Sequence, residues 1–122
     1  GKTEGFWIDI NRTAVLGQPT PEYQALHDTI RDCYLTQLER MKPGFHTGAL
    51  GKLGHDYLRE RGVPAPEKLL LLAHGIGQMP IESPVAGPSM GTAGARGFAL
   101  EEDMVVSVDC LFFGAKLGPC HM

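Results

Sequence analysis

The sequence predicts an α+β domain in which two helices cover one face of a sheet. Three observations carry that prediction. Phe6 to Leu16 and Met104 to Phe113 alternate apolar and polar residues with the period of a strand. Pro21 to about Met41 and Thr47 to Gly62 place apolar residues three or four apart, as a helix does. Leu69 to Leu72 is a wholly apolar run of the kind found in a buried strand.

In chain order, Phe6, Ile8, Ile10, Ala14 and Leu16 share one face of the first expected strand, and Asp9, Asn11 and Thr13 share the other. Gly17-Gln18-Pro19-Thr20-Pro21 breaks it. Thr20 is placed to cap the first helix, with Pro21 at its first position and Glu22 beside it. Tyr23, Leu26, Ile30, Cys33, Leu38 and Met41 make its apolar stripe, and Lys42-Pro43-Gly44 stops it. Thr47 is expected to cap the second helix, which carries Leu50, Leu53, Tyr57 and Leu58 and closes at Gly62. After Pro64-Ala65-Pro66 comes the strand ending at His74. A loop rich in Gly, Pro and Ser is expected from Gln78 to Gly97, and so long a loop in a small domain usually serves a site. In the last strand Met104, Val106, Val108, Cys110 and Phe112 share a face opposite Ser107 and Asp109.

At 122 residues, with 43% hydrophobic and 20% charged content, residues 1–122 fit one domain with a real core. A formal charge of -3 without a lysine or arginine cluster lacks the electrostatic footprint of a nucleic-acid or anionic-membrane binder. Peptide or small-molecule partners are favoured. Cys33, Cys110 and Cys120 form no CxxC pair or zinc-finger spacing, which points to reduced thiols and a cytoplasmic setting. No apolar run is long enough to span a bilayer.

The chemistry centres on Ala73-His74-Gly75-Ile76-Gly77, an imidazole between small residues at the end of an apolar strand. Asp9 and Asp109, each in an otherwise apolar strand, are costly to desolvate without a partner. A divalent cation between them and His74 would satisfy that cost, and oxygen with imidazole donors suits Mn, Fe, Co or Zn. The competing reading pairs Asp9 with Arg12 or another cation and gives Asp109 backbone amides near a turn. Cys110, His121 and His55 are read as structural.

The series Asp9-Ile-Asn-Arg12-Thr13, Lys42-Pro43-Gly44, His74-Gly-Ile-Gly77 and Leu100-Glu-Glu-Asp-Met104-Val-Val-Ser-Val-Asp109 resembles the pita-bread metallohydrolases. These include methionine aminopeptidase, aminopeptidase P, prolidase and creatinase. The resemblance implies the pita-bread fold, a curved antiparallel sheet covered by helices, here truncated at both ends as the catalytic-type domain of a longer chain. It also implies two divalent metal ions held by two aspartates, a histidine and two glutamates. Asp9 matches the bridging aspartate, in a context similar to Asp-Ile-Thr-Arg-Thr. His74 matches the histidine of Gly-His-Gly-Ile-Gly, with Ala73 replacing the first glycine, and Asp109 falls at the first glutamate. The other aspartate is expected just before Gly1 and the last glutamate just after Met122, so the ligand set is incomplete within these residues.

In activity, the resemblance implies a hydrolase of the aminopeptidase P or Xaa-Pro dipeptidase kind, in which metal-activated water attacks a peptide carbonyl and Asp109 inherits the role of general base. The aspartate is one methylene shorter than the family's glutamate. Peptidases of the family carry a substrate-contacting histidine in a His-Glu-Pro context where this chain has Ile81-Glu82-Ser83-Pro84, so Ile81 and Glu82 are the candidate substrate-binding residues. Isoleucine has no hydrogen-bonding group to offer a peptide carbonyl. The alternatives are a creatinase-like enzyme acting on a small non-peptide substrate and a non-catalytic peptide-binding homologue. A homodimer of the full-length protein is compatible with each.

Overall fold

The computed structural model describes residues 2–86, 97–114 and 120–121, with the side chains of residues 2, 3, 120 and 121 excepted. Two short strands, β1 (Lys2–Thr3) and β2 (Phe6–Trp7), form an antiparallel hairpin. Helix α1 (Pro21–Arg40) follows, then a 3-10 turn (Thr47–Ala49) leading into α2 (Leu50–Glu60), and a second 3-10 turn (Pro66–Lys68). Strands β3 (Leu69–Gly75), β4 (Glu82–Ala86), β5 (Val106–Phe112) and β6 (Cys120–His121) form an antiparallel sheet in the order β4-β3-β5-β6.

Helix α1 begins as the sequence predicts, because Thr20 accepts a hydrogen bond from the Tyr23 N–H at 3.2 Å and Pro21 takes the first helical position. Its end at Arg40 leaves Lys42 outside the helix, where the following Pro43 disfavours helical backbone. The buried stripe contains Ile30 and Cys33 but continues through Gln37 rather than Leu38. Gln37 is buried, and its Oε1 finds no partner among the described residues.

Two local expectations in the second helix change. The residue that caps is His46, whose Nδ1 accepts from the Gly48 N–H at 3.3 Å, and Thr47 lies inside the turn. The Thr47 hydroxyl instead donates to the Phe98 carbonyl at 3.0 Å and accepts from the Phe98 N–H at 2.9 Å. Together with Gly44 N–H to Leu100 O and Leu100 N–H to Phe45 O, both 2.8 Å, this fixes the approach to β5 against the start of α2. Gly54 lets α2 sit close on the sheet, since a Cβ there would lie 2.5 Å from Leu71 Cδ1 and 2.7 Å from Leu69 Cδ2.

The core lies between the helices and one face of the sheet. Ile30, Cys33, Leu50 and Leu58 from the helices meet Leu69, Leu71, Ala73, Cys110 and Phe112 from β3 and β5. Each large side chain fully withdrawn from water contributes about 1.5 to 3 kcal/mol of transfer free energy. Alternation then sends Leu70, Leu72 and His74 of β3, with Ser107 and Asp109 of β5, to the opposite face. Pairing of Leu72 with Asp109 and of His74 with Ser107 agrees with that division.

The larger corrections concern the first strand and the long loop. Only Phe6–Trp7 is strand; residues 8–16 are irregular, and Ile8, Ile10 and Leu16 are exposed rather than half-buried. Period-two alternation needs a paired neighbour to become a strand, and the hairpin supplies one only to residues 6 and 7. Within the expected loop from Gln78 to Gly97, residues 82–86 form β4 along β3; residues 87–96 lie outside the described residues. Pro84 is tolerated because β4 is an edge strand and Ser83-Pro84 falls in a bulge, between the pairs His74 with Val85 and Gly75 with Glu82. The expected approach to a final glutamate at Leu117 to Met122 also lies mostly outside the described residues.

Candidate metal centre

Three segments bring the three predicted ligands together on the sheet face away from the helices. His74 is the penultimate residue of β3 and is wholly buried. Asp109, in the middle of β5, has a side chain 13% exposed. Asp9 comes from the irregular segment after β2, which is tied to the turn beyond His74 by the Trp7 N–H donating to the Gly77 carbonyl at 2.7 Å. One ligand atom from each of Asp9, His74 and Asp109 lies within 4.8 Å of the others.

The geometry assigns the histidine tautomer. His74 Nδ1 lies 2.8 Å from the Gly75 carbonyl, which can only accept, so Nδ1 carries the proton and donates. In the neutral ring Nε2 then presents its lone pair to Asp109 Oδ2 at 3.3 Å and Asp9 Oδ2 at 3.9 Å. A lone pair facing two carboxylate oxygens is stable only with a proton or a cation between them. Imidazole locked by a backbone carbonyl, with carboxylates alongside, is a donor set that fits a divalent transition metal.

Asn11 is the residue that the sequence reading left out of the site. Its amide Nδ2 donates to Asp9 Oδ1 at 3.1 Å and lies 3.4 Å from Asp109 Oδ1. The signal was present in its place beside Asp9 on the polar side of the first segment, but nothing local revealed the contact with β5. Arg12 Nη1 donates to the Asn11 carbonyl at 2.6 Å. From the helix side, the Tyr34 hydroxyl donates to the Val108 carbonyl at 3.3 Å, one residue before Asp109. Burial raises the Tyr34 phenol above its ordinary value, with the charges of Cys110 and Asp109 acting in the same direction, so it stays a donor.

The other candidates do not contribute a ligand atom to this cluster. Ile81 stands 38% exposed at the entry to β4. Glu82 Oε2 accepts from the Met79 N–H at 3.2 Å, so its carboxylate braces the turn between β3 and β4. Cys110 faces the core, and His55 Nε2 lies 2.9 Å from the Leu69 carbonyl in the α2 to β3 junction. His121 pairs with Leu111 through its backbone. No helix among the described residues is long and apolar enough to cross a membrane.

This arrangement sets an antiparallel sheet with helices on one face and a histidine and two aspartates on the other. The sequence profile of Metallopeptidase family M24 matches residues 1–117, and the chain belongs to that family. Among solved structures the fold is similar to the X-Pro aminopeptidase from Thermotoga maritima MSB8, with a TM-score of 0.79 and 23% identity over 98% of this chain. The chain spans 32% of the length of that enzyme. No curated protein matches significantly.

Proposed function

We propose that this chain forms part of the catalytic centre of a metal-dependent peptidase of the aminopeptidase P or Xaa-Pro dipeptidase kind, with two divalent ions in the full site. The observation that carries the reading is the His74 Nε2 lone pair aimed at Asp109 Oδ2 and Asp9 Oδ2, 3.3 and 3.9 Å away. Asp9, His74 and Asp109 would hold the metal, whose chemistry when bound is to lower the pKa of water and polarise a carbonyl. His74 is kept in the ligating tautomer by Gly75. Asp109 is the carboxylate placed to accept the proton released as water adds to the substrate. Its weakly exposed position keeps bulk water from competing for that proton. The substrate is a peptide with proline near its N-terminus, approaching past Ile81 and Glu82, and the odd cysteine count supports a cytoplasmic location.

Ile81 favours a second reading. A side chain with no hydrogen-bonding group stands where related peptidases present a histidine, which suits a small non-peptide substrate, handled as creatinase handles its own. The test is elemental analysis of the full-length protein and of His74→Ala, followed by assay of the metal-loaded protein on a library of Xaa-Pro dipeptides. About two ions per chain, fewer in the variant, and dipeptide cleavage support the first reading. Cleavage only of a guanidino or sulfonium compound supports the second, and absence of metal from both proteins overturns the first.

A further inference from the structure

Asp9 and Asp109 arrive from segments with no covalent reason to stay together, and two carboxylates held close repel. Each nevertheless turns the same way, Oδ2 towards His74 Nε2 and Oδ1 towards Asn11 Nδ2. We infer that Asn11 is the positioning residue of this centre: its one amide nitrogen spans both carboxylates by their outer oxygens and so presents their inner oxygens, one from each, beside His74 Nε2. The inference rests on the metal-binding role proposed for these residues.

The chemistry of the amide is what suits it to this place. An amide nitrogen carries two protons and can serve two acceptors at once, whereas a hydroxyl carries one. The resemblance places a threonine at this position in the family, where a single proton could serve only one of the two carboxylates at a time. Through Asn11 the ligand atoms beside His74 are preset before an ion arrives. The backbone of Asn11 is engaged separately, its main-chain carbonyl accepting from the Arg12 guanidinium. Partners of this kind behind metal ligands typically change metal affinity by about 10- to 100-fold when removed.

The experiment is titration of the metal-free full chain with Mn2+ alone, followed by calorimetry, for the unsubstituted protein, Asn11→Leu and Asn11→Thr. Circular dichroism and the melting temperature of each metal-free form are recorded alongside. The expected result is an affinity about 10- to 100-fold weaker in Asn11→Leu and intermediate in Asn11→Thr, with an unchanged metal-free melting temperature. The visible spectrum of Co2+ bound to the same three proteins should shift in Asn11→Leu, which a purely structural asparagine would not cause. Equal affinity in all three overturns the positioning role while leaving the metal centre standing. A lower melting temperature with unchanged Mn2+ affinity and Co2+ spectrum also overturns it. If the unsubstituted protein binds no Mn2+, the metal reading fails and this inference falls with it.

Discussion

His74 Nε2 and Asp109 Oδ2 approach to 3.3 Å although the two residues are not partners across the ladder, His74 being in register with Ser107 and Asp109 with Leu72. They are diagonal neighbours on one face, close enough for long side chains to meet. Asp109→Asn keeps this shape but replaces a carboxylate with an amide that can donate to Nε2. The expected outcome is at least a tenfold loss of Mn2+ affinity, the magnitude seen for outer partners alone, with the fold intact by circular dichroism. Unchanged affinity in calorimetry would remove Asp109 from the ligand set.

Gly75 follows His74 at the bulge. A Cβ there would meet the Ser83 carbonyl oxygen at 2.8 Å and that of Glu82 at 3.0 Å, both backbone atoms that no rotamer change can move aside. Gly75→Ala should therefore displace β4 and destabilise the fold by about 1 to 3 kcal/mol. Urea denaturation measures the loss. Since the Gly75 carbonyl also sets the His74 tautomer, the same variant should bind Mn2+ more weakly.

Thr47 is buried, and its hydroxyl makes two hydrogen bonds to the backbone of Phe98, whose carbonyl also accepts from the Thr47 N–H at 2.9 Å. Thr47→Val preserves the side-chain shape and leaves both Phe98 groups without it. A loss of about 1 to 3 kcal/mol is expected in chemical denaturation. A midpoint within error of the unsubstituted protein would show that water replaces the hydroxyl.

Burial pushes the Cys33 thiol up from its ordinary 9.0 to about 11. Because the folded value lies above the unfolded one, the stabilisation from keeping the thiol protonated is complete below about pH 9. It is lost progressively as pH rises towards about 11, where the unfolded chain is already ionised. Denaturation midpoints of the unsubstituted protein should fall over that window more than those of Cys33→Ala. Parallel curves for the two proteins would contradict this.

Most of the sheet, both helices and the cluster of three candidate ligands were legible because their signals are local. Leu69 to Leu72 is too apolar to lie anywhere but in a core, and Thr20-Pro21 marks a helix start by its chemistry. Asp9, His74 and Asp109 stand out as polar groups in apolar surroundings, and all three meet in space. The failures share one cause, dependence on a partner distant in the chain. Ile8 and Ile10 alternate like a strand, but strand is a property of a pair. Ser83-Pro84 reads as loop because composition carries no information about the edge of β3 that Glu82–Ala86 finds. Thr47 looks like a cap until the backbone of Phe98 claims its hydroxyl, and Gln37 replaces Leu38 in the stripe because the helix face is set by packing, chiefly on α2, rather than by polarity.

The contact between Asn11 and Asp109 joins positions 98 apart in the sequence. Closing so long a loop costs conformational entropy before any contact there is rewarded. The centre is consequently complete only when the segment after the hairpin meets β5. An ion that binds it selects the folded population by mass action. Metal supplied to the purified protein would then raise its melting temperature as well as occupy the centre.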